Sequence, residues 1–254
     1  MSIGRGQSNF GTSPFHKGEQ ALQQAAGVRA KMEAIGQSFI RDHMPEQHSQ
    51  FYQQLPYLFV STLDNDNRPW AHILYGESGF ISAPSNKQLS VKLNPQSFTI
   101  LKSQGAGSAV GLLGIVLDTR RRNRASTQLV SIDENKMELA VKQTFGNCPK
   151  YIHPRQLVKN KYQVKAAGKQ IPFNRLDALA IELIEQADTF FVATYYPGFD
   201  AEKSQGMDIS HRGGAAGFVR TISNNQLMIP DYAGNNFLIR SETLCKQAKQ
   251  ASCL

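Results

Sequence analysis

Ser210, His211 and Arg212 stand directly before Gly213 and Gly214, so one short run carries a hydroxyl, an imidazole, a guanidinium and two residues without side chains. Such a run offers two hydrogen-bonding groups and a fixed cationic fork, and its glycines let backbone approach a ligand closely. That chemistry suits an anion or the polar edge of a planar heterocycle. A plain loop, its arginine facing water and its glycines serving a turn, accounts for the same residues, and residue types alone leave both readings open. Downstream, Asp231-Tyr232 and Asn235-Asn236 flank Gly234. They can supply an aromatic face and amide donors and acceptors for a ring edge, or simply a β-turn at 233–235.

Three other places invite chemistry. The run TRRRNR at 119–124 puts Arg120, Arg122 and Arg124 on one face of extended backbone, where guanidinium groups can hold a phosphate bidentately. Cys148, in FGNCPKYI, has His153 nearby in sequence but reads as a buried, inert thiol. His72 and His211 read as counterparts in two related segments. No His-Glu-x-x-His, paired-cysteine or carboxylate cluster points to a metal, and no catalytic acid or base is assigned.

The elements that must position these groups follow from periodicity. Leu22, Ala25, Met32, Ile35 and Phe39 recur at helical spacing, predicting one amphipathic helix from Lys17 to about His43, preceded by a flexible arm with Pro14, Phe15 and His16. Phe51-Tyr52 begins a short helical or turn segment before Pro56. Short runs rich in β-branched and aromatic residues, at 58–64, 70–75, 80–83, 87–93, 110–118, 127–133 and 136–145, predict antiparallel strands in a sandwich or barrel. A basic connector at 156–173 separates them from a helix whose stripe is Leu176, Leu179, Ala180, Leu183, Ile184 and Ala187, with Asn174 and Asp177 in a capping arrangement.

Two phrases recur. GFISAPSNKQLSV at 79–91 is answered by GFVRTISNNQLMI at 217–229, and the FVST of 59–62 by the FVAT of 191–194. The order of helix, FVxT strand and Ser-Asn-x-Gln-Leu strand therefore occurs twice, which reads as an internal duplication of large period. The expected organisation is an arm and helix at 1–50, a first unit at 51–155, a linker at 156–173 and a partial second unit at 174–254. After the second SNNQL phrase the composition turns helical, so strand edges in the second unit await a cover.

The formal charge is +8 in 254 residues. A positive balance suits an anionic partner, but interleaved aromatics and a basic helix are missing, which argues against nucleic acid. No run approaches the roughly 18 apolar residues of a membrane helix, and the polar opening lacks the core of a secretory signal, so a cytoplasmic protein without membrane association is expected. Three cysteines without CxxC spacing indicate neither a disulfide framework nor a zinc site.

The words SPFHKGEQ, TRRRNR, QTFGNCPKYI, DISHRGGAAGFV and IPDYAGNN, in this order, resemble the pyridoxamine 5'-phosphate oxidase-like family of flavin-nucleotide-binding proteins. The resemblance implies a mainly β fold with flanking helices: tandem split β-barrels in one chain, the second incomplete, with FMN between them. It nominates Ser210, His211, Arg212 and Gly213 toward the flavin and Asn235 and Asn236 toward its ribityl phosphate. It further implies a flavin-dependent oxidoreductase acting on a small molecule, with homo-oligomerisation open. The alternative is a shortened, non-catalytic relative serving as a scaffold or interaction module.

Overall fold

In the computed structural model the described residues are 13–157, 174–198, 204–230 and 232. Asn235 and Asn236, the predicted turn at 233–235, the 158–173 part of the connector, Cys245 and Cys253 lie outside them.

The N-terminal helical stripe forms two helices, α1 (Lys17–Ala25) and α2 (Arg29–Phe39), and not one. Gly27 adopts φ +69°, a left-handed conformation cheap only for glycine, and breaks the helix there. Of the expected flexible arm, residues 13–16 are described, and there it is fixed against the helices. His16 caps α1: its Nδ1 accepts from the backbone N–H groups of Gly18 and Glu19, and Glu19 accepts from the His16 N–H. Phe15 is buried against Gly36, where a Cβ would strike the ring.

Helix α3 (Glu46–Gln53) leads into β1 (Tyr57–Leu63) and β2 (Pro69–Tyr75). Next come β3 (Ile81–Ser85), β4 (Gln88–Lys92), α4 (Pro95–Leu101), β5 (Ala109–Val116), β6 (Arg121–Ile132) and β7 (Lys136–Gly146). Seven strands make one antiparallel sheet in the order β2-β1-β5-β6-β7-β4-β3. Alternating burial along them builds a core that includes Tyr52, Leu58, Val60, Leu89, Val91 and Leu112. α4 was not anticipated, although Asn94 before Pro95 carries its signal: the Asn94 side chain accepts from the Ser97 N–H, and proline fits the first turn.

The second unit holds α5 (Ala178–Gln186), β8 (Thr189–Tyr196), β9 (Gly206–Gly213), β10 (Arg220–Ser223) and β11 (Gln226–Met228). Asp177, not Asn174, caps α5, accepting from the Ala180 N–H. β8 pairs with β9 and β10 with β11, each as a separate two-stranded sheet. The β8–β9 ribbon lies on β1, β2, β5 and β6 of the first unit. Ala71 and Leu113 from one side and Ala193, Met207 and Ile209 from the other form a common apolar cluster. Phe59 and Phe191, the phenylalanines of the two FVxT phrases, stack on each other at 3.6 Å and 15°.

The turns correspond too. Gly79 and Gly217 open the repeated phrase with φ +81° and +79°, and Gly76 and Gly214 each lie against the ring of the following phenylalanine, Phe80 or Phe218. The histidines do not correspond. His72 is opposite Val60 in the β1–β2 register, whereas His211 is opposite Phe191 in the β8–β9 register. The counterpart of His211 is therefore Ile73, and that of His72 is Ser210.

Candidate functional site

β6 runs beside β9, and its alternate residues Arg122, Arg124 and Ser126 face it. Arg124 is buried and its Nη1 donates to Asp208 Oδ2 at 3.0 Å, while its Nη2 donates to Ser210 Oγ. Arg122 Nη1 donates to His211 Nδ1 at 3.1 Å and to the His211 carbonyl at 3.4 Å. Ser126 Oγ donates to the Met207 carbonyl at 3.4 Å. Period-two alternation thus turns one arginine-rich strand into a polar ladder joining the two units.

These contacts redistribute the predicted site. Arg122 and Arg124 share a face, as expected, but Arg124 is committed to Asp208 and Ser210 and holds the seam. Arg120 does not join them: it occupies the left-handed region at φ +56° in the β5–β6 turn and is exposed. Ser210 and His211 are buried in the seam. Gly213 is spent on the chain itself, since a Cβ there would land on the Tyr151 carbonyl oxygen. The segment after β7 lies across this glycine, and His153 Nε2 donates to the Gly214 carbonyl at 2.7 Å. Arg212, opposite Phe190, is half-buried.

The electrostatics single out Arg122. Among the described residues it pairs with no carboxylate, and burial, reinforced by Arg124, lowers its pKa to about 10. Because a guanidinium only donates, His211 Nδ1 must accept, which leaves a neutral ring with its proton on Nε2. Burial first, then Arg122 and Arg124, pull His211 down to about 3, in keeping with that tautomer.

Several buried polar atoms around β6 and β9 have no hydrogen-bond partner, among them Arg122 Nε, Asn123 Nδ2, Arg124 Nε, Asn147 Oδ1 and His211 Nε2. Asn147 is tied to the place by its backbone N–H, which donates to the Arg122 carbonyl at 3.1 Å. N–H donors and one carbonyl acceptor thus stand unanswered where buried polar groups are normally paired. Cys148 adjoins them half-buried, not buried as expected. Further along the same segment is an aromatic group: Tyr151 stacks with Tyr232 at 5.1 Å, and Tyr232 lies 6.4 Å from Phe218. Arg122 was read from sequence as one of three phosphate-gripping arginines, whereas Asn147, Tyr151 and Asp208 were not nominated. Only the ladder spacing in TRRRNR hinted at any of them.

Among the described residues no cluster of three His, Cys, Asp or Glu side chains can hold a metal, and no helix is long and apolar enough to cross a membrane. No protein-family model and no curated protein matches the chain. Among solved structures it is similar to HupZ of Group A Streptococcus at 9% identity and TM-score 0.32, over 41% of this chain and 93% of that one. It is similar to an FMN-binding protein from Syntrophomonas wolfei at 9% identity and TM-score 0.31, over 48% and 96%. HutZ, the heme storage protein from Vibrio cholerae, aligns at 12% identity and TM-score 0.28, over 41% and 94%.

Proposed function

We propose that this chain is a flavin-nucleotide-binding protein of the pyridoxamine 5'-phosphate oxidase-like type, with two related split-barrel units in one chain and FMN held at their seam. The observation that carries the reading is Arg122, a largely buried guanidinium without a carboxylate partner among the described residues, beside a neutral histidine. A buried cation is ordinarily paired, so its counter-charge is expected from a ligand. The unanswered groups, several N–H donors and the Asn147 side-chain carbonyl, are of the kinds that the two carbonyls and one N–H of a flavin's pyrimidine edge can meet. Asn235 and Asn236 remain the nominees for the phosphate end, and Arg212 for the flavin. Ser210 and Gly213 act one step removed, by fixing β9 and the Tyr151 segment.

When bound, the flavin would supply electron transfer to a small-molecule substrate. The chain's own residues orient it, keep His211 neutral and exclude water from the seam. Titrating the purified chain with FMN, followed by flavin fluorescence, tests this. Replacing Arg122 with Gln should weaken binding at least tenfold while leaving the fold intact by circular dichroism. Equal affinity in both proteins, or no binding by either, would remove the reading.

A second reading, a non-catalytic scaffold or interaction module, is favoured by one specific observation: Leu179, Leu183, Ile222 and Ile229 are all exposed in the second unit. Such a protein would bind no flavin and act through that surface.

A further inference from the structure

The arginine run has a second face. Alternation sends Arg122 and Arg124 toward β9, so Arg121 and Asn123 project from the opposite side of β6. Residues directly across a ladder share a face, so Asn123 stands on the side of Gly146, and Thr144, opposite Ala125, stands on that side too. Arg41 is paired with Thr144 in turn: the Arg41 N–H donates to the Thr144 carbonyl at 3.0 Å, and the Thr144 N–H to the Arg41 carbonyl at 2.8 Å. Helix α3 packs over this face. Arg121 Nη2 donates to the Gln47 carbonyl at 2.9 Å, and its guanidinium lies 4.7 Å from the centre of the Phe51 ring. His48 Nδ1 is 3.1 Å from Thr144 Oγ1.

The charge gathered here is positive and unanswered. Arg41 and Arg121 are both near enough to act on His48, yet among the described residues neither forms an ion pair with a carboxylate. The acids beside them in sequence are engaged elsewhere: Asp42 is held by Lys87 at 3.1 Å and by His43 at 3.0 Å, and Glu46 accepts from Gln50. No side chain caps the first turn of α3, so the partial positive charge at its N-terminus acts in the same sense.

A buried group independently asks for an acceptor. Asn123 is 3% exposed, and its amide Nδ2 has no hydrogen-bond partner. Thr144 cannot serve it, because its hydroxyl donates to the Arg124 carbonyl at 3.1 Å and its oxygen accepts from His48 Nδ1. His48 is then a neutral ring whose Nε2 becomes a donor on taking up a proton. Two guanidiniums, a buried amide N–H and an imidazole that an anion would protonate are complementary to an oxyanion.

We propose that Arg41, Arg121 and Asn123, beside His48, form a site for a phosphate group, on the face of β6 opposite the seam. The inference does not rest on the flavin reading, which concerns Arg122 and the other face of the strand.

Titrating the full chain with inorganic phosphate at pH 7.5 and constant ionic strength, followed by calorimetry and by the histidine ring signals in NMR, tests it. One phosphate per chain is expected, with the His48 ring signal moving toward its protonated position. Arg41→Gln and Arg121→Gln should each weaken binding at least fivefold, with circular dichroism unchanged. Glycerol 3-phosphate serves as a second probe: tighter binding than inorganic phosphate assigns an esterified ligand, the reverse the free anion, and either order supports the site. Unsaturable binding, equal affinity in both variants, or a His48 signal that stays still in the unsubstituted chain would overturn the proposal. So would an equal loss in Arg122→Gln, which would place the anion at the seam.

Discussion

The arginines of β6 have separate fates within a few residues. Arg124 meets a carboxylate and a hydroxyl in a buried seam, so removing it leaves Asp208 buried without its cation. Arg124→Met should therefore cost about 3–5 kcal/mol of stability in urea unfolding, and pairing it with Asp208→Leu should recover much of the loss. Arg122 has no such acid among the described residues, and its positive field helps keep His211 neutral. A second histidine behaves alike: burial, then Arg121 and Arg41, lower His48 to about 4. In the unfolded chain both take up a proton near the ordinary value of 6.5. Below that pH the unfolded state binds more protons than the folded one, so stability is intact above about pH 7 and declines as the pH falls toward 4. Each such histidine contributes a slope of up to about 1.4 kcal/mol per pH unit. Urea midpoints at pH 7.5 and 5.0 should differ accordingly, and His211→Asn should make the difference smaller; an unchanged difference would show that His211 titrates normally.

At the scale of elements, the strands were legible because their alternation is strong and their turns are marked. The Asp133-Glu134-Asn135 connection between β6 and β7 stands where it was expected, with Asp133 accepting from the Asn135 and Lys136 N–H groups. The start of β6 was not legible. A run of arginines carries no apolar alternation, and only the opposing strand β9 shows that it is a buried ladder. The Gly213-Gly214 pair was read as room for a ligand, but the room at Gly213 is taken by the Tyr151 carbonyl. Gly213→Ala should then destabilise the chain by about 1–3 kcal/mol through overpacking, measured as a lowered thermal midpoint. If the midpoint is unmoved, the 148–153 segment does not rest on β9.

Across the whole molecule, two units that share phrases make unequal use of them. The first buries its apolar strand faces within one sheet, while the second buries one ribbon against the first and leaves α5 and the β10–β11 hairpin facing solvent. The seam joins the halves by aromatic stacking at Phe59 and Phe191 and by the Arg124–Asp208 pair.

Local pattern alone determined that this chain is built mainly of short antiparallel strands with a few helices, and that one phrase of it recurs, since periodicity and turn chemistry act over a handful of neighbours. Which arginine is neutralised, which histidine corresponds to which residue, and what each glycine accommodates were decided by tertiary contact. Those properties depend on strand register and on groups distant in sequence brought within hydrogen-bonding range, as Arg124 is to Asp208, and no local periodicity records either.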